Sequence, residues 1–203
     1  MISAIFNTVP KNCLIIDNFL DDPEQYRALA LTLPFVNVLF EGEVYKRVQV
    51  RDYEEHRKRI EMTLKRQILP EQSLIRLNYA GEMPNNSIHS DNSLGEFASV
   101  LYLNPPEQCA GGTAFWRHKA TGLTRFDEAE IRRKGKSPAK TLQQIEGDWN
   151  EETNWEQTGL AEMKFNRLII YSSKDFHSRF PFAAFGDKPE NGRLIWVNFF
   201  SCV

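Results

Sequence analysis

The chain has 203 residues, enough to bury a full hydrophobic core without disulfide or metal staples, so a single domain over 1–203 is expected. Its 25 Lys and Arg against 27 Asp and Glu lack the basic excess that phosphate binding needs, which argues against nucleic acid as a partner. Three cysteines without a CxxC pair suggest neither a disulfide framework nor a cysteine zinc site, and no stretch reads as a signal peptide or a membrane span. A cytoplasmic protein without membrane contact is expected.

The first apolar run, CLIIDNFL over 13–20, reads as a strand, and DDPEQYRALALTL follows it as a helix with Asp21 or Asp22 as cap and Pro23 in its first turn. β-Branched residues flank Glu41-Gly42 within 36–50, which predicts a hairpin or a bent strand. The next stretch, RDYEEHRKRIEMTLKRQIL, spaces Tyr53, Ile60, Leu64 and Ile68 along one helical face. Residues from 1 to about 72 therefore read as N-terminal helical support for the domain.

From residue 73 the pattern turns to β. SLIRLNYA, FASVLYLN, GTAFW, FNRLIIYS and RLIWVNFF are strand-like runs bounded by Gly, Pro, Asn or Asp. Between them, 117–163 is polar and has little apolar periodicity, so it is expected to be a long insertion acting at least partly as a lid. Trp149 and Trp155 would seat it on the domain. The expected fold is mainly β with flanking helices: an antiparallel double sheet of the jelly-roll kind, with helices on one outer face.

Only four histidines are present, His56, His89, His118 and His177. In HSD, His89 and Asp91 stand at i and i+2, and on an extended backbone both side chains leave the same face and can reach one small ion. A polar turn before a strand would show the same three letters. His177 follows the strand-like run FNRLIIYS and could supply the third member of a two-histidine, one-carboxylate face with open positions on ferrous iron. Arg193 opens the last strand, sixteen residues after His177, where a guanidinium could bind a carboxylate bidentately. Each of these also has an ordinary structural reading. Trp116, Arg117 and His118 could line a substrate side, although packing or surface roles are the better reading of each, and the basic run at 132–136 reads as a solvated loop.

Taken together, HxD, a YLN strand, GG, a distal histidine and a basic residue opening the last strand resemble the iron(II)/2-oxoglutarate-dependent dioxygenases, in particular their prolyl-hydroxylase-like branch, from about Leu74 to Phe200. The stretch IDNFLDDPEQYRALALTLPF also resembles the start of several bacterial members. The resemblance implies a double-stranded β-helix of cupin-like kind. It implies that His89, Asp91 and His177 are the iron ligands and the catalytic centre, and that Arg193, with Tyr79 or Tyr102, receives the far carboxylate of 2-oxoglutarate. Arg179, on the same strand face as His177, is the rival for that anchor. The implied activity is hydroxylation of a C–H bond in a small molecule or a peptide side chain by O2, with release of succinate and CO2. Related halogenases lack the carboxylate, so Asp91 favours hydroxylation over halogenation. A non-catalytic jelly-roll binding module and a cupin-like metal enzyme that does not use 2-oxoglutarate are the alternatives, and oligomeric state is left open.

Overall fold

The computed structural model describes residues 13–40, 43–52, 54–83 and 87–203. Ten strands are described: β1 (Leu14–Ile16), β2 (Val36–Phe40), β3 (Glu43–Val50), β4 (Ile68–Asn78), β5 (Phe97–Tyr102), β6 (Gly112–His118), β7 (Trp155–Glu162), β8 (Leu168–Ser172), β9 (His177–Phe180) and β10 (Arg193–Cys202). Seven form a sheet in the order β1-β8-β5-β10-β4-β3-β2, and three form a second in the order β7-β6-β9, with antiparallel pairing throughout. The mainly β jelly-roll expectation is met.

The period-two alternation of the strands sorts their side chains into layers. Val100, Tyr102, Ile169, Tyr171, Ile195 and Val197 turn from the large sheet toward Phe115 and Ala161 of the small one and form the space between the sheets. Their neighbours Ile75, Leu77, Leu101, Leu194 and Trp196 turn the other way and pack on α1 (Pro23–Thr32) and α2 (Glu54–Leu64) through Tyr26, Ala30 and Ile60. Because β10 has both faces covered, every residue from Arg193 to Phe200 is buried. Asp22 caps α1, its Oδ1 accepting from the Gln25 amide at 3.0 Å, and Pro23 takes the first helical position.

Two expectations for the N-terminal part need correction or a limit. Ile68 does not continue the helical face of α2, because Lys65 adopts a left-handed φ of 54° that ends the helix and Ile68 opens β4. Tyr53 and the Glu41-Gly42 turn lie outside the described residues, although β2 and β3 do pair as a hairpin.

The segment 117–163 is folded rather than weakly structured. It contains α3 (Glu128–Arg133), α4 (Pro138–Asp148) and β7, which pairs along the whole of β6. Ile131, Ile145 and Trp155 bury against Trp116, Phe176 and Ile88 on the outer face of the small sheet, with Trp149 half-buried beside them. The two tryptophans thus seat the segment. Its periodicity is weak in sequence because α4 contributes few of the apolar contacts and the sheet supplies the rest. We expect Ile145→Ala to lower stability in urea by about 2–5 kcal/mol through lost burial and a cavity. The α4 amides should already exchange slowly in the ligand-free protein, unlike those of a lid. Rapid exchange there, or an unchanged urea midpoint, would contradict this packing.

Candidate metal centre

His89 and His177 are joined through the backbone before their side chains meet. The His89 amide donates to the His177 carbonyl at 3.0 Å and the His177 amide returns to His89 at 2.9 Å, an antiparallel bridge that extends the small sheet beyond β9. Residues exchanging both bonds present their side chains side by side, and the two imidazole centroids are 4.6 Å apart. Asp91 is held next to them by its own amide, which donates to the Ser173 carbonyl at 2.7 Å. As expected at i and i+2, its carboxylate turns to the same side as His89.

One carboxylate oxygen of Asp91 stands 3.6 Å from His89 Nε2 and the other 3.1 Å from His177 Nε2. One ligand atom from each of the three residues lies within 4.8 Å of the others. His177 is buried, while His89 keeps about a third of its side chain exposed, at 32%, so the centre has an open side. His177 Nδ1 lies 2.9 Å from the Asp175 carbonyl, an acceptor only, so that nitrogen carries its hydrogen and donates. Nε2 is thereby directed at the centre, the usual means of orienting a metal-binding imidazole.

The segment 117–163 secures this loop from behind. The Phe176 amide donates to the Thr124 carbonyl, the Phe126 amide to the Lys174 carbonyl, and the Arg125 guanidinium reaches Ser172 Oγ. Burial alone would raise the Asp91 carboxyl, but the charges of His177, His89 and Arg76 outweigh it and hold it below the usual range. Burial likewise works against a charged His177, and Asp91 outweighs it, raising the imidazole.

Arg193 is buried at the start of β10, and its Nε has no hydrogen-bond partner. It lies opposite Asn78 on β4, on the strand face shared with Ile195, which lies opposite both Tyr102 and Arg76. Burial, with added repulsion from Arg76, lowers its titration to about 10. The Tyr102 hydroxyl meets Thr113 Oγ1 at 2.8 Å and the Ala161 carbonyl at 3.4 Å, and burial pushes it up to about 12. Arg179 is two residues beyond His177, opposite Thr113, but its Nε donates to the Phe182 carbonyl at 2.8 Å and its terminal nitrogen to the Glu82 carbonyl.

The structure brings His89, Asp91 and His177 together, with Arg193 and Tyr102 facing the same inter-sheet space. It does not bring Tyr79 there. One residue beyond β4, Tyr79 lies on the side of Leu77, packs on the helix-covered core and carries the Arg47 guanidinium 4.2 Å over its ring. Tyr171, which the sequence did not single out, has its ring 4.8 Å from the His177 imidazole and 5.3 Å from Phe115. Thr113 and Arg76 were also missed, and inward alternation on strands flanking the site was the signal that could have found them.

The remaining candidates are structural. His118 is fully buried, with Nε2 2.9 Å from Asp148 and Nδ1 3.0 Å from Thr121, which ties β6 to the end of α4. His56 packs 3.8 Å from Trp196 in the helix-side core. Trp116 is buried and donates to Ser178 Oγ, and Arg117 pairs with Glu156 at the surface. The GG pair has a steric reason: a Cβ on Gly111 would fall 1.9 Å from the Phe180 carbonyl oxygen, and one on Gly112 2.0 Å from that of Ala161. Glycine lets β6 pass between its two neighbours.

Two imidazoles and one carboxylate on one side of a pocket fit a divalent transition metal with positions left open. The unpartnered Arg193 Nε fits the remote end of a carboxylate ligand. A model of a family of unknown function (DUF6445) matches residues 72–200. No curated protein matches the chain in sequence. In fold, the chain is similar to the non-heme alpha ketoglutarate dependent epimerase SnoN from nogalamycin biosynthesis, at a TM-score of 0.57 and 14% identity over 93% of this chain and 78% of that one. SnoN in complex with Fe3+, alpha ketoglutarate and nogalamycin RO aligns at 0.55 with 13% identity over the same shares. A 2OG-Fe(II) oxygenase family oxidoreductase from Burkholderia pseudomallei aligns at 0.51, with 12% identity over 94% of this chain and 85% of that one. At these identities the likeness establishes the shared fold.

Proposed function

The chain belongs to the family of unknown function DUF6445, and we propose that it is an iron(II)- and 2-oxoglutarate-dependent oxygenase, which hydroxylates a C–H bond of a small molecule or peptide side chain and releases succinate and CO2. The observation that carries this reading is the convergence of His89, Asp91 and His177 in the inter-sheet space that also holds the buried Arg193, whose Nε has no hydrogen-bond partner. A structural metal site needs no such arginine, and neither does a cupin-like metal enzyme without 2-oxoglutarate.

When bound, iron and 2-oxoglutarate together supply O2 activation and C–H oxidation. The chain's residues supply ligation, orientation and exclusion of water. His89, Asp91 and His177 hold the metal, with the His177 tautomer set by the Asp175 carbonyl. Arg193 receives the distal carboxylate, and the Tyr102 hydroxyl beside Thr113 offers a further donor to it. The rings of Tyr171 and Phe115 pack beside the His177 imidazole and give that side of the site an apolar wall. Cys13, Cys109 and Cys202 are free thiols, in keeping with the cytoplasmic setting included in this reading.

The test is calorimetric titration of 2-oxoglutarate with and without iron(II) under anaerobic conditions, followed by succinate assay on admitting O2 without any further substrate. Metal-dependent binding and slow succinate formation, both lost in His177→Ala, are expected. Metal binding without any 2-oxoglutarate binding would favour the cupin-like alternative, and binding of neither would leave a non-catalytic module.

A further inference from the structure

The inter-sheet space holds more positive charge than the co-substrate can balance. Arg76 lies on β4 directly opposite Ile195, and Arg193 opposite Asn78, so the two are diagonal neighbours on the same inward face. Like that of Arg193, the Arg76 Nε is buried with no hydrogen-bond partner, while its guanidinium stands 5.1 Å over the Tyr45 ring. Arg179 enters from β9, opposite Thr113, on the face that carries His177. By strand register all three guanidiniums therefore start from faces that turn into the inter-sheet space.

Among the described residues, three guanidiniums and a divalent ion face the Asp91 carboxylate and the two carboxylates of 2-oxoglutarate, which leaves two positive charges in excess. Arg179 spends its donors on the Phe182 and Glu82 carbonyls, and Arg193 is taken by the distal carboxylate. Arg76 remains, half-buried, with its Nε enclosed and without an acceptor, and a buried donor left unpaired is costly.

Resting on the oxygenase reading above, we infer that Arg76 is a substrate-binding residue that receives a carboxylate of the molecule to be hydroxylated, so that the substrate is an organic anion. This selects among the substrate classes the fold admits: free amino acids and other carboxylic acids, or a chain terminus, in preference to neutral metabolites and internal peptide segments.

The experiment uses acetate, the smallest carboxylate, and its neutral isostere acetamide as probes of protein loaded with Mn(II) and 2-oxoglutarate at constant ionic strength. Bound Mn(II) broadens the methyl proton resonance of a probe held near it. Loading is measured first, and failure of Mn(II) or 2-oxoglutarate to bind would sink the oxygenase reading before any probe is added. With loading established, acetate should show saturable broadening and acetamide none. Arg76→Gln should reduce the acetate effect at least about fivefold while leaving 2-oxoglutarate affinity within about twofold, and Arg76→Lys, which keeps the charge and guards against misfolding of the glutamine variant, should retain part of it. Equal behaviour of acetate and acetamide, or of wild type and Arg76→Gln, would overturn the inference. So would a loss of 2-oxoglutarate affinity in Arg76→Gln as large as that in Arg193→Lys, which would assign Arg76 to the co-substrate.

Discussion

Asp91→Ala is expected to lower ferrous affinity by more than about 100-fold, beyond the range of 10- to 100-fold seen when only a supporting partner of a metal ligand is lost. The carboxylate is the one anionic member of the centre and touches both imidazoles, at 3.6 and 3.1 Å. Its removal deletes a ligand and leaves two histidines beside Arg76 with no compensating charge. The metal-free variant should also lose about 1–3 kcal/mol of stability, because the buried His177 Nε2 is left without its partner. Metal at 100 times its dissociation constant should stabilise the wild type by about 2.7 kcal/mol, and Asp91→Ala not at all at the same concentration. Anaerobic iron titration and thermal melts read the two effects separately. An Asp91→Ala or His177→Ala protein that binds iron as tightly as wild type would remove the metal assignment altogether.

Arg193→Lys separates the co-substrate from the metal. An ammonium keeps the charge but not the planar fork that meets a carboxylate with two parallel hydrogen bonds. The anchor is buried at the head of β10, so water cannot replace the lost bond. We expect the 2-oxoglutarate dissociation constant to rise about 10- to 100-fold, equivalent to about 1.4–2.8 kcal/mol, with iron affinity within about twofold of wild type. Arg179→Ala should change 2-oxoglutarate binding far less, because that guanidinium is already bonded to the Phe182 and Glu82 carbonyls. The opposite ranking of the two variants would move the anchor to β9.

What the sequence determined by itself was local. Alternation and turn residues marked β4, β5, β6, β8 and β10, because period two and a Gly, Pro or Asn boundary are properties of a few consecutive residues. The HxD spacing placed His89 and Asp91 on one side for the same reason, and the histidine that follows FNRLIIYS opens β9. Which face of a strand meets the pocket is not local. Tyr79 and Arg76 are three residues apart on one chain, yet pairing with β10 turns Arg76 inward, and Tyr79 packs on the helix side, since adjacent strand positions take opposite faces and only the register says which is buried where. Tyr171 looked like an ordinary strand residue until β9 brought His177 to its ring. The segment 117–163 looked unstructured because its apolar partners Trp116, Phe176 and Ile88 lie elsewhere in the chain, and a helix or strand buried on a narrow stripe shows too few apolar residues of its own to be periodic.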